Sequence, residues 1–290
     1  MPAEIYLNVA VSGLLTGLIY GLSALGLSVI FGVIRIVNFA HGEIMVGGMF
    51  VTLLLFRHLG IDPLAAVPVV AVALFSFGYF LQDLVVRRVA HLADHMQFLL
   101  MAAIAVVIVS LCLMIFGPDA QAAHVSYAYD SFEIGPLLVD KVRVYAGLAA
   151  LVVSALLFAF FRYTDTGKAI RACGDNYMGA LVVGLNVRRL YALTFGIGCA
   201  CLGAAGAILV LLIDVHPYLG PSYTLLAFII VIIGGLGSLP GALLGGLLIG
   251  VSEAMAGLFM QPSLKSAVSF GLLILVLLLR PQGLLGKAAR

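Results

Sequence analysis

Residues Ile5-Tyr-Leu-Asn-Val-Ala-Val-Ser-Gly-Leu-Leu-Thr-Gly-Leu-Ile-Tyr-Gly-Leu-Ser-Ala-Leu-Gly-Leu-Ser-Val-Ile-Phe-Gly-Val-Ile34 contain no Asp, Glu, Lys or Arg. Glu4 and Arg35 bracket this run of 30 residues, and a helix needs only about 20 apolar residues to cross a bilayer. The rest of the chain continues the pattern. Of its 290 residues, 63% are hydrophobic and 10% charged, with a mean hydropathy of +1.21. Soluble domains carry roughly 25% charged residues. The composition excludes an ordinary soluble domain, a disordered chain and a nucleic-acid binder. It predicts an all-α polytopic membrane helix bundle, one transmembrane domain over residues 1–290 with about eight to ten spans. No basic stretch precedes the first apolar run, so that span is expected to act as its own insertion signal rather than as a cleaved signal peptide.

Charges punctuate the remaining spans. Span 1 is expected over about 9–33, span 2 from Ile36 to Phe56, span 3 from Leu64 to Gln82, and span 4 from Gln97 to Gly117. Span 5 runs from Val144 to Phe161, span 6 from Leu190 to Ile213, and the last from Leu264 to Leu279. Between them lie 38 residues, Val215 to Ser252, without a charge but broken by Gly and Pro near 234–241. Such density breaks a helix, so this stretch is either two short spans or a re-entrant hairpin. Basic residues favour the cytoplasmic side. With the N-terminus outside and the C-terminus inside, 11 of the 15 Lys and Arg fall inside, and Glu4, Asp62, Asp119, Asp130, Glu133, Asp140 and Asp214 fall outside.

The longest inner segment, 162–189, has 28 residues, which is long for a connection in so lean a chain. Thr166 is expected to cap a turn through Lys168–Cys173 that Gly174 ends. Asp175 or Asn176 then caps a second helix that Gly184 stops. That second helix carries Tyr177, Met178, Ala180, Leu181, Val182 and Val183. An apolar patch flanked by charge reads either as a docking surface for another protein or as an amphipathic helix resting on the bilayer.

Gly167-Lys-Ala-Ile-Arg-Ala-Cys173, followed by Ala180-Leu-Val-Val-Gly-Leu-Asn186, resembles the coupling loop of ATP-binding-cassette importer permeases, the LivH-type branched-chain amino acid permeases most closely. Five further stretches resemble that family in the same order: Val37-Asn-Phe-Ala-His-Gly-Glu43, Asp214-Val-His-Pro-Tyr-Leu-Gly220, Ile233-Gly-Gly-Leu-Gly-Ser-Leu-Pro-Gly-Ala242, Val251-Ser-Glu253 and Arg280-Pro-Gln-Gly-Leu-Leu-Gly286. The resemblance implies a multi-pass protein of a bacterial inner membrane, with Gly167, Arg171, Asp175, Ala180 and Gly184 at the ATPase contact. It also implies a homologous second permease subunit, two cytoplasmic ATPase subunits and an extracytoplasmic solute-binding protein. Related permeases for urea or short amides share much of the pattern. No Walker A motif of the form G-x-x-x-x-G-K-[ST] is present, so ATP hydrolysis is expected on other chains. The chain is therefore read as neither an enzyme nor a holder of a cofactor or metal.

Polar residues at membrane depth are costly and mark function or packing. Asn38, His41 and Glu43 form one cluster; on a continuous helix 38 and 41 would share a face. They read as a brace for span 2 or as lining of the substrate pathway. Glu253 is the other lone acid, either an interfacial carboxylate in the outer half of its helix or a residue of the pathway or a subunit interface. His216, Pro217 and Tyr218 read either as the outer gate or binding-protein contact or as a rigid turn. Gly13, Gly17 and Gly21 recur every fourth residue, Gly26 follows, and Gly196, Gly198, Gly203 and Gly206 do similarly, so close helix packing is expected. In each half a Gly-rich span leads to a polar turn ending in Gly42 or Gly220, which suggests an internal repeat. Cys112, Cys173, Cys199 and Cys201 read as small packing residues. A stand-alone secondary transporter is the rival, but it predicts ionisable residues spread over several spans. An intramembrane protease is another, but no G-x-S-x-G with a matching His is present.

Overall fold

The computed structural model describes residues 3–89, 92–128, 130–134, 137–261 and 264–286. The helices are α1 (Ala3–Ile34), α2 (His41–Leu59), α3 (Pro63–Leu81, prolonged by a π turn over Gln82–Val86), α4 (Asp94–Phe116) and α5 (Lys141–Tyr163). They continue with α6 (Asp165–Asp175), α7 (Tyr177–Val182), α8 (Val187–Leu209), α9 (Gly220–Gly234), α10 (Leu239–Phe259) and α11 (Lys265–Leu279). Among the described residues eight helical segments are long and apolar enough to cross a membrane, and α11 is a shorter apolar helix. A small antiparallel hairpin, β1 (Ser131–Ile134) and β2 (Leu137–Asp140), sits in the outer loop. The Gly/Pro break therefore separates two antiparallel helices, α9 and α10.

The two ends of the bundle are tied by polar contacts. At one end Arg57 Nη1 donates to Gln121 Oε1 at 2.7 Å, the Gln121 and Val215 backbones bridge, and Tyr127 Oη donates to Asp62. At the opposite end Gly237 packs on Gly32, Gly174 packs on the Gly32 carbonyl, and the Leu284 and Leu285 amides donate to Ile233 and Gly234. Arg35, Arg162, Arg171, Arg188 and Arg189 gather at this second end, as the charge count predicts for the cytoplasmic side. Lys287 and Arg290, counted with them, lie outside the described residues.

The glycine stripes decide the core. A methyl added at Gly17 would lie 2.7 Å from the Gly246 carbonyl and 2.9 Å from Leu247 Cα. One at Gly13 would lie 2.8 Å from the Gly250 carbonyl. So α1 and α10 pack backbone to backbone. Gly26 turns to another face of α1, where a methyl would sit 2.6 Å from the Gly198 carbonyl of α8. Lipid tails are as apolar as side chains, so dispersion between close backbones is what holds such helices together.

The structure corrects span 2. It does not start at Ile36: residues 35–40 are not helical, and α2 begins at His41. His41 lies beside Ser23, which is 11 residues from the end of α1, or roughly 16 Å of helical rise. The chain therefore runs back into the bundle before α2 starts. Irregular backbone at membrane depth survives only when protein satisfies it. Here Ile36, Asn38 and Ala40 are buried, and the Ala40 amide donates to Asn38 Oδ1 at 3.0 Å. After α8 the chain repeats the device: residues 210–216 are not α-helical, a 3-10 turn covers Pro217–Leu219, and α9 begins at Gly220.

Candidate functional site

The inner loop folds as two short helices, with boundaries that differ from the sequence expectation. Thr164 rather than Thr166 caps the first, its Oγ1 accepting from the Gly167 amide at 3.0 Å. Gly174 does not end α6, which runs on to Asp175; its missing side chain instead lets α6 approach the α1 backbone, where a methyl would lie 2.9 Å from the Gly32 carbonyl. Gly167 likewise presses on the Phe160 carbonyl and Phe161 of α5. Ile170 and Cys173 are buried beneath α6, and burial raises the Cys173 thiol above its ordinary value. Thus α6 is fixed to the bundle.

Asn176 caps α7, its Oδ1 accepting from the Gly179 amide at 2.9 Å. Gly184 stops it in the left-handed region at φ 80°, with the Leu185 amide returning to the Ala180 carbonyl at 3.0 Å. Asn186 then caps α8 through the Arg189 amide at 3.1 Å. Three caps in succession set the angle of α7. Ala180 faces inward and is buried, whereas Met178, Val182 (85% exposed) and Val183 (73% exposed) face out. Gly184 contributes conformation rather than contact, since nothing lies within 4 Å of an added methyl. Arg171 and Asp175 line a cavity behind α6.

Deeper in the bundle the two broken turns meet. A methyl on Gly42 would collide with the Gly220 carbonyl, so the starts of α2 and α9 touch through their backbones. The Gly42 amide donates to Thr224 Oγ1 at 2.8 Å, and Thr224 Oγ1 donates to Glu43 Oε2 at 3.2 Å. A methyl on Gly220 would lie 2.7 Å from Glu43 Cγ. Glu43 thus stands at two helix N-termini at once, where unpaired amides and helix dipoles favour negative charge. Its hydrogen-bond partner is Thr224. His41 Nε2 reaches the Ser23 carbonyl at 3.2 Å. Asn38 precedes the helix, so the shared helical face expected for 38 and 41 does not exist. Both are fully buried, and Asn38 Nδ2 and His41 Nδ1 have no hydrogen-bond partner among the described residues.

The family model described as "Branched-chain amino acid transport system / permease component" matches residues 9–277. The high-affinity branched-chain amino acid transport system permease protein LivH of Salmonella typhimurium is 31% identical over 97% of this chain and 96% of its own length. BraD of Pseudomonas aeruginosa, of the same description, is 30% identical over 97% and 96%. A probable LivH of Methanocaldococcus jannaschii is 24% identical over 91% and 88%. The chain belongs to the family of branched-chain amino acid transport permeases.

In this permease Glu253 lies part-way along α10, and Ser269 Oγ of α11 donates to its Oε1 at 2.6 Å. At the outer end Tyr218 is exposed, Pro217 is buried and His216 is half-buried. The residues proposed from sequence therefore form separate groups: the α6–α7 loop, the Gly42–Gly220 junction, the α10–α11 contact and the outer turn. Sequence reasoning missed Thr224 and Ser269, each a hydroxyl inside an apolar run. It also missed Asp83, which Arg188 grips through Nε at 2.7 Å and Nη2 at 2.8 Å, tying α3 to the start of α8. Asp83 and Arg188 both sit beside basic or polar neighbours at a span end, so charge pairing across the inner loops was the available signal.

Proposed function

We propose that this permease is the membrane-spanning subunit of an ATP-driven importer in a bacterial inner membrane, carrying branched-chain amino acids that an extracytoplasmic binding protein delivers. The observation that supports the reading is α7: a short helix at the arginine-rich end, held by a cap at each side, that presents apolar side chains outward. Exposed apolar surface of this kind is a partner interface. Two ATPase subunits dock there, each permease of a homologous pair seating one. The permease performs no covalent chemistry and needs no cofactor of its own; hydrolysis belongs to the ATPases. The binding protein meets the opposite end, where Tyr218 and His216 lie.

The test is copurification together with leucine uptake by the reconstituted system. Met178→Asp with Val182→Asp removes the apolar face without touching a buried residue. Each such side chain contributes about 1.5–3 kcal/mol when buried at an interface. The ATPase is expected to be lost from the complex and uptake to fall, while the permease still inserts. Wild-type levels of bound ATPase and uptake in the double variant would refute the docking role.

A further inference from the structure

A cavity of about 1300 Å³ opens at the cationic end between α1, α5, α6 and the turn before α10. It exceeds the roughly 300–1,000 Å³ of ordinary small-molecule sites. Its walls are of two kinds. Phe31, Ala155, Phe158, Ala159 and Leu239 are among its apolar lining, and Arg35, Arg162 and Arg171 line it as well. Ala155 and Ala159 lie one turn apart on α5, on the side where Val152 and Leu156 are also exposed. That face of α5 is uncovered in the single chain, so the apolar wall runs on into an exposed apolar helix face.

The charge is lopsided. Three guanidiniums meet one carboxylate among the described lining residues, that of Asp175. None of the described ion pairs involves Arg35, Arg162 or Arg171. All three cations are arginine, whose planar fork matches phosphate oxygens two at a time. Arg35 is also the one non-glycine residue with positive φ among the described residues, at 60°. That left-handed backbone ends α1 and turns the chain back toward residues 36–40.

We propose that this cavity binds an anionic phospholipid, its phosphate on Arg35, Arg162 and Arg171 and an acyl chain along Phe31, Ala155 and Ala159. A branched-chain amino acid fits the site poorly: it is far smaller than the cavity and would leave most of the apolar wall unfilled. Basic pockets between membrane helices on the cytoplasmic side recognise lipid headgroups by this chemistry. The inference stands whichever solute the permease carries.

The test measures phosphatidylglycerol retained by the full-length permease in nanodiscs, by native mass spectrometry, against phosphatidylcholine. The wild type is expected to keep phosphatidylglycerol selectively. Arg35→Gln, Arg162→Gln and Arg171→Gln combined should weaken retention on the order of a hundredfold. Ala159→Trp leaves the charges intact and fills the acyl wall; it should also release the lipid, and it serves if the triple variant fails to fold. Equal retention of both lipids, or undiminished phosphatidylglycerol in Ala159→Trp, would overturn the proposal. So would displacement of the lipid by inorganic phosphate alone, which would mark a free-anion site. A photocrosslinker at position 159 that captures a second permease subunit in place of lipid, in the assembled transporter, would overturn it as well.

Discussion

Replacing Thr224 with Val changes shape little and removes one hydroxyl that serves two groups. It takes away the acceptor of the Gly42 amide, at 2.8 Å, and the donor to Glu43, at 3.2 Å. The first distance is good for N–H···O, while the second is long for O–H···O, so most of the loss comes from Gly42. Its amide is a first-turn donor without an intrahelical acceptor, and it is buried against Gly220. An unsatisfied buried donor costs about 1–3 kcal/mol. Interhelical side-chain bonds in membranes average nearer 0.6 kcal/mol, with a maximum of about 1.7, because the unfolded chain in lipid finds other partners. A backbone amide at a helix start has fewer substitutes, so the expected cost is about 1–2 kcal/mol. That shifts the unfolding equilibrium roughly 5- to 30-fold. The assay is thiol labelling of buried Cys199 and Cys201 during titration of micelles with a denaturing detergent. Thr224→Ser keeps the hydroxyl and should recover most of the stability. A Thr224→Val protein as stable as the wild type, or one matched by Thr224→Ser, would refute the bridging role.

The glycine stripe makes a contrast that unfolding midpoints can read. Gly17→Ala must push a methyl against the α10 backbone, 2.7 Å from Gly246 O, and should cost about 1–3 kcal/mol. Gly47→Ala meets nothing within 4 Å and should gain up to about 1 kcal/mol of helix propensity. Gly184→Val puts a branched side chain at φ 80°; it should destabilise the turn by about 1–2 kcal/mol, and it should raise ATP hydrolysed per leucine imported in the reconstituted importer. Burial and the Asp62 carboxylate that accepts its hydrogen bonds hold the Tyr127 phenol above its ordinary value of 10.0. Because the folded state keeps this proton longer than the unfolded one, the stability it contributes is complete below about pH 10 and fades as pH climbs through the raised value. Thermal melts across that range should show an alkaline limb that Tyr127→Phe flattens.

The spans were legible because charged residues rarely enter lipid, and the second helix of the inner loop because its Asn176 cap, its Gly184 stop and its apolar face are local in sequence. The start of α2 was not. Ile36, Val37, Phe39 and Ala40 are as apolar as any helix interior, and hydropathy reports burial, not backbone conformation. Only the crossing with α9 shows that protein, rather than helix, satisfies that stretch. Glu43 was recognisable as needing a partner, yet Thr224 lies 181 residues away and is one hydroxyl in an apolar run. Gly174 was misread because a glycine near a helix end can serve either of two needs, a left-handed stop or a close approach. Its position against the Gly32 carbonyl shows the second.

The same geometry indicates how docking at α7 would reach the membrane interior if the proposed function holds. The loop is attached to the bundle at two places: Gly174 of α6 rests on the end of α1, and Asn186 joins α7 to the first turn of α8. These two helices lead into the two broken turns, α1 through residues 35–40 to α2, and α8 through residues 210–219 to α9. The turns in turn meet at Gly42 and Gly220, with no side chain of either residue between the backbones. A displacement delivered to α1 and α8 together therefore arrives at one crossing from both sides. Close backbones without interlocking side chains can slide there, while the Thr224 bridge limits how far. Among the described residues Glu43, Glu253 and His41 make their hydrogen bonds at depth to neutral groups, Thr224, Ser269 and the Ser23 backbone. A neutral hydroxyl or carbonyl can be exchanged for another at little cost, whereas parting two opposite charges in low dielectric would cost several kcal/mol. The interior is thus built so that its polar contacts are broken and remade more easily than salt bridges would be.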